Sequence, residues 1–77
     1  MDPGDLVRVW SPAGFVYAFE LISDTYWKSP NLVSGTLGLY VGPNPKESKR
    51  LGQPMVDIVV GEKNYSIDRR FLDVVLV

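Results

Sequence analysis

The sequence predicts an all-β fold: a small antiparallel barrel of five to six strands, with one short helical turn before the last strand. Three observations carry that reading. Apolar residues fall in short runs separated by Gly, Pro, Ser and Asn clusters, the punctuation of strands and turns. Those runs are rich in Val, Ile, Leu, Tyr and Phe, most of which suit a pleated, half-buried surface. The central run, Gly35–Gly42, holds Gly38 between Leu37 and Leu39. A glycine inside a strand marks a bend, a bulge or a close backbone approach, and a strand that curves sharply belongs to a small barrel rather than a flat sheet.

The elements follow in order. Pro3-Gly4-Asp5 is a turn that leads into Leu6–Trp10, whose Val7 and Val9 share the buried face. After the Ser11–Gly14 break, Phe15–Ile22 is apolar on both faces, and its aromatic and β-branched content favours a strand over a helix. Ser23–Ser34 reads as a long loop around Tyr26 and Trp27, flanked by turn chemistry at Ser23-Asp24-Thr25 and Ser29-Pro30-Asn31. Pro43–Arg50, polar and broken by prolines, reads as an exposed loop. Met55–Val60 is a strand with Val56, Ile58 and Val60 inward; Gly61–Asn64 turns it back into Tyr65–Ile67. Asp68–Phe71 forms a single helical turn with Asp68 as its N-cap, and Leu72–Val77 is the final strand.

Seventy-seven residues make one domain, spanning 1–77, with a marginal core and no cysteine to staple it. The missing cysteines fit an intracellular protein. The acidic, turn-forming Met1–Asp5 segment is not a signal peptide, and no apolar run is long enough to cross a bilayer, so no membrane partner is expected. Hydrophobic residues make up 45% of the chain and charged residues 22%, ordinary globular usage, and the net charge of −1 supplies no field to draw in nucleic acid.

The absence of His and Cys removes the commonest general bases and nucleophiles. Asp57, Asp68 and Asp73 have no catalytic or calcium-loop spacing, and no motif supports a Ser–Lys pair. The chain is read as non-enzymatic, with no catalytic residue, metal or cofactor. Two partner surfaces remain. Tyr26 and Trp27, with Leu72, Val74 and Leu76 of the apolar terminal strand, form a protein-binding candidate, because an open edge strand is a template for a neighbouring chain. A homo-oligomer or larger protein assembly would also stabilise so small a core. The alternative is nucleic acid, bound by Lys46, Lys49 and Arg50 in one basic cluster and Arg69 and Arg70 in another, with nearby tyrosines and Trp27 for stacking.

The run Pro3-Gly4-Asp5-x-Val7-x-Val9, then Gly35-x-x-Gly38-x-x-Val41, then a glycine-turn hairpin and Ile67…Leu72-x-x-Val75, resembles small SH3-like barrel proteins. In that family a Gly-Asp-x-Val strand opens the barrel, a glycine-containing strand follows the first long loop, and a helical turn precedes the closing strand. Short proteins of tailed bacteriophages and marine phage-like genomes are the nearest likeness; KOW-type nucleic-acid-binding barrels are more distant. The resemblance implies an SH3-like barrel that is phage-encoded and works as a binding or structural module in the host cytoplasm or the virion. A KOW-like barrel would use its basic loops on nucleic acid, but the Ser11–Gly14 turn here is neutral, so protein association is the preferred reading.

Overall fold

Val7 and Val9 are fully buried, with Leu6 and Arg8 pointing the other way, so strand β1 (Leu6–Val9) alternates as its sequence demands. The computed structural model describes residues 1–76. Eight strands follow β1: β2 (Phe15–Val16), β3 (Ala18–Ile22), β4 (Thr25–Lys28), β5 (Leu32–Val33), β6 (Leu37–Pro43), β7 (Met55–Val60), β8 (Lys63–Asp68) and β9 (Leu72–Val74). One helix, α1 (Pro45–Leu51), joins β6 to β7, and a 3-10 turn, Arg69–Phe71, joins β8 to β9. Seven strands form one antiparallel sheet in the order β4-β3-β8-β7-β6-β1-β9; β2 and β5 pair separately.

The sheet is not a closed barrel: among the described residues no pairing joins its end strands, β4 and β9. Its core holds Val7, Val9, Val16, Ala18, Tyr40 and Val56, with Ile58, Tyr65, Ile67 and Leu72, and Leu32, Val60 and Phe71 pack against them. The inward set expected on β7 is therefore in place. Gly38 resolves to a close approach: a Cβ there would meet the Val59 carbonyl oxygen at 2.7 Å. The register shift in this strand lies one step on, between Tyr40 and Gly42.

Several expected boundaries change. The Phe15–Ile22 run is divided at Tyr17 into β2 and β3. The long loop expected at Ser23–Ser34 instead contains β4 and β5. Ile22 pairs with Thr25, leaving Ser23 and Asp24 as a two-residue turn at φ 50° and 65°, the left-handed pair that the strand twist favours in tight hairpins. The exposed loop expected at Pro43–Arg50 is largely α1, because its local signals are helical. Asn44 Oδ1 caps the Glu47 amide at 3.1 Å, Pro45 occupies the first turn where no donor is needed, and Gly52, at φ 68°, ends the helix by donating to the Ser48 carbonyl at 2.9 Å.

The second hairpin is tighter than expected, pairing Val60 with Lys63 around Gly61. Asp68 caps the 3-10 turn as read, its Oδ1 accepting from the Arg70 amide at 2.9 Å. Strand β9 ends at Val74, although the Val75 amide still donates to the Leu6 carbonyl at 2.9 Å. Val77, the last residue of the expected strand, lies outside the described residues.

Candidate functional site

Three surface features carry polar or apolar groups beyond what the core needs. The first is the outer face of β1, β6 and β7. Leu6 pairs with Leu39, and Leu39 with Val59, so three apolar side chains run in a row across the strands. Leu37 and Val41 flank Leu39 along β6, and Trp10 continues the outward alternation of β1. Leu39 is 49% exposed, and Leu6, Leu37, Val41 and Trp10 are exposed as well. The Arg8–Asp73 pair, in register across β1 and β9 and 3.9 Å apart, borders this band.

The second feature is a cleft of about 440 Å³ between the β3–β4 turn and α1, lined by Tyr26, Asn44, Glu47, Arg50 and Asp57 among others. The Tyr26 hydroxyl donates to Asp57 Oδ2 at 2.8 Å, and Asn44 Nδ2 donates to Asp57 Oδ1 at 3.0 Å. Burial first, then the hydrogen bond to Asp57 and its charge, push the Tyr26 phenol far above the usual tyrosine range, so it remains a donor. Glu47 is buried and takes two hydrogen bonds from Arg50, which hold its carboxyl below the ordinary range against the opposing effect of burial. This cleft is a structural junction: Tyr26, Asn44 and Asp57 tie the hairpin to the helix cap, and Glu47 and Arg50 pair with each other along the helix. Among the described residues, no three His, Cys, Asp or Glu side chains gather in a metal-binding arrangement.

The third is a smaller cavity of about 270 Å³ lined by Val16, Tyr17, Phe19, Gln53, Met55, Asp68, Arg70 and Phe71. Its aromatic walls carry cations. Lys28 Nζ lies 4.8 Å from the Tyr17 ring centroid, and the Arg50 guanidinium lies 5.5 Å from that of Phe19. Arg70 turns its Nε and Nη2 to the buried Asp68, with the shorter contact at 2.6 Å, and this pairing holds the Asp68 carboxyl below its usual range.

The residues singled out from sequence fall in several places. Tyr26 is half-buried and engaged by Asp57, whereas Trp27, on the edge strand β4, is 58% exposed. Leu72 is a core residue at 3% exposure and offers no surface to a partner; Val74 and Leu76 are exposed. These two groups sit on strands at opposite ends of the sheet order and so do not form one paired edge.

Of the basic set, Arg50 is bound to Glu47, Arg70 to Asp68, and Arg69 Nη1 donates to the Leu72 carbonyl at 3.2 Å. Lys46 and Lys49 have no ion pair among the described residues. The outer apolar face and the Tyr17–Phe19 cavity escaped notice in the sequence. The signal was present, since Leu37, Leu39 and Val41 alternate with core positions, but alternation alone does not say which face is covered. No family model, curated protein or solved structure matches the chain. Among the described residues, no helix is long and apolar enough to cross a membrane.

Proposed function

We propose that the chain is a non-enzymatic binding module of the SH3-like barrel kind, acting by protein association, with a second copy of itself as the partner. The observation that carries the reading is the apolar outer face of β1, β6 and β7. Leu6, Trp10, Leu37, Leu39 and Val41 are each exposed by 38–52%, and a cluster of exposed apolar side chains of this kind marks an interaction site. The neighbouring Arg8 and Asp73 have opposite charge, so a two-fold axis passing beside this pair would set each against its complement on the other copy.

The SH3-like reading, for a sheet left open between β4 and β9, draws support from three features of the element order. β1 opens the fold, the long connection before β6 carries the inserted strands, and the 3-10 turn precedes a closing strand that lies beside β1. In the phage setting that the resemblance implies, such a module would assemble in the host cytoplasm or the virion.

Light scattering over a broad concentration range tests the reading. The wild-type mass should rise to that of a discrete dimer, and Leu39→Glu, an exposed substitution that leaves the core intact, should hold the chain at monomer mass. A wild-type chain that stays monomeric at about 1 mM, where even weak association is populated, would overturn it.

A further inference from the structure

We infer that the cavity between Tyr17 and Phe71 is a stacking slot for one unpaired base of a single-stranded nucleic acid, with Arg70 in its lining, and Lys28 and Arg50 beside it over the Tyr17 and Phe19 rings, to meet the phosphates. The inference stands on a different surface from self-association and is independent of it.

The walls come first. Tyr17 is 62% exposed although it is aromatic and stands between two buried residues, Val16 and Ala18. Its ring is held by an edge-on contact with Phe15, centroids 5.6 Å apart, rather than by burial. With Phe19 and Phe71 it lines a cavity of about 270 Å³. Lys28 covers one face of the Tyr17 ring and Arg50 one face of the Phe19 ring, and the slot offers the opposite faces, which take any base because every base has a π-face. Gln53 supplies the cavity with an amide that can both donate and accept.

The charges come next. Arg50 and Arg70 each spend Nε and Nη2 on a buried carboxylate, Glu47 and Asp68 respectively. Pairing along one edge fixes each guanidinium plane, and Nη1 of each has no hydrogen-bond partner among the described residues. A preoriented planar fork with donors to spare suits a phosphodiester oxygen. Lys28, above Tyr17, adds a third cation. The two acids nearby are already neutralised by the arginines. A duplex is not the expected form, because its bases are stacked away and the net charge of −1 gives no general attraction to the backbone.

Fluorescence polarisation of a labelled oligothymidine of about eight nucleotides, within the range that a single-strand-binding domain covers, tests the slot. Running it on the Leu39→Glu chain reads the slot apart from any self-association. Arg50 and Arg70 are each paired with a carboxylate and Lys28 is not, so the slope of log K against log salt should lie between about −0.7 and −2, since each phosphate contact contributes about −0.7 on a single strand. Tyr17→Ala should weaken binding about tenfold or more while Tyr17→Phe retains it, as expected of a stacking contact. Ile22→Ala, also an exposed apolar residue but outside the cavity, should change nothing.

No polarisation change at about 100 µM protein in low salt would overturn the proposal, since even non-specific binding registers there. Equal affinity in Tyr17→Ala would overturn it as well. So would stronger binding to a matched duplex, or equal competition by an oligoglutamate or a proline-rich peptide.

Discussion

The Tyr26 hydroxyl reaches Asp57 Oδ2 at 2.8 Å, joining the end strand β4 to β7 although β3 and β8 lie between them in the sheet order. Asp57 also accepts from Asn44, which caps α1, so one carboxylate fastens both the β3–β4 hairpin and the helix. Removing the hydroxyl alone tests this. Tyr26→Phe should cost about 1–2 kcal/mol in urea unfolding, the scale of a hydrogen bond to a charged group that is partly buried. The β3–β4 amides should lose hydrogen-exchange protection before the rest of the sheet.

The same phenol predicts an alkaline effect. Its folded pKa is raised, so the folded chain keeps a proton that the unfolded chain gives up near the ordinary tyrosine value of about 10. Stability from this group is complete below that value and falls as pH rises through and above it. Unfolding midpoints of wild type and Tyr26→Phe should therefore converge as pH climbs beyond about 10.

At the acid end the sign reverses. Glu47 and Asp68 have lowered pKa values, each chiefly through hydrogen bonds from an arginine, Arg50 and Arg70 respectively. Their contribution is present above the ordinary carboxylate pKa of about 4 and is lost as pH falls through the depressed folded values. Thermal unfolding between about pH 2 and 6 should show a steep acid limb, and Glu47→Gln with Asp68→Asn should flatten it. An unchanged limb would mean that other carboxylates set the acid stability.

Ser66 lies fully buried on β8 between Phe19 and Asp57 in the pairing, and its Oγ has no hydrogen-bond partner among the described residues. A buried hydroxyl in that state contributes desolvation cost and little else, so Ser66→Ala should raise stability by about 1 kcal/mol. A loss of similar size would show that the hydroxyl has a partner in solution, an ordered water being the obvious one.

Gly38→Ala should destabilise by about 1–3 kcal/mol, because the added Cβ would strike the Val59 carbonyl of the adjoining strand, and backbone in a paired sheet cannot shift aside cheaply. This glycine also shows how far the sequence could be read. Its place in a run of Leu, Tyr and Val identified both the strand and a special backbone position. The core of β1 and β7 was likewise legible, because Val7, Val9, Val56 and Ile58 alternate with period two.

The helix was hidden by competition between signals. Pro43, Asn44 and Pro45 are turn formers anywhere, and only their spacing to Glu47 and Gly52 marks them as start and stop. Strand β4 was hidden because the Ser23-Asp24 turn lacks the glycine that usually announces a left-handed pair. The clustering of Arg50 and Arg70 around Phe19 and Tyr17 depends on tertiary packing, which no local pattern encodes.

The last prediction concerns Arg8 and Asp73. Within one chain they form an exposed pair at 3.9 Å, a geometry that adds little to folding, so neutralising either should move the unfolding midpoint only slightly. On a two-fold interface the same charges would face their complements across the apolar band, where like-charge contact is strongly unfavourable. Arg8→Asp or Asp73→Arg alone should therefore weaken dimerisation by about tenfold or more, chiefly in sedimentation at low salt, with folding intact. The double swap restores opposite charge both within and between copies, and it should recover most of the lost affinity. If the single swaps leave the dimer mass unchanged while Leu39→Glu abolishes it, the apolar band associates in an orientation that keeps this pair away from the interface.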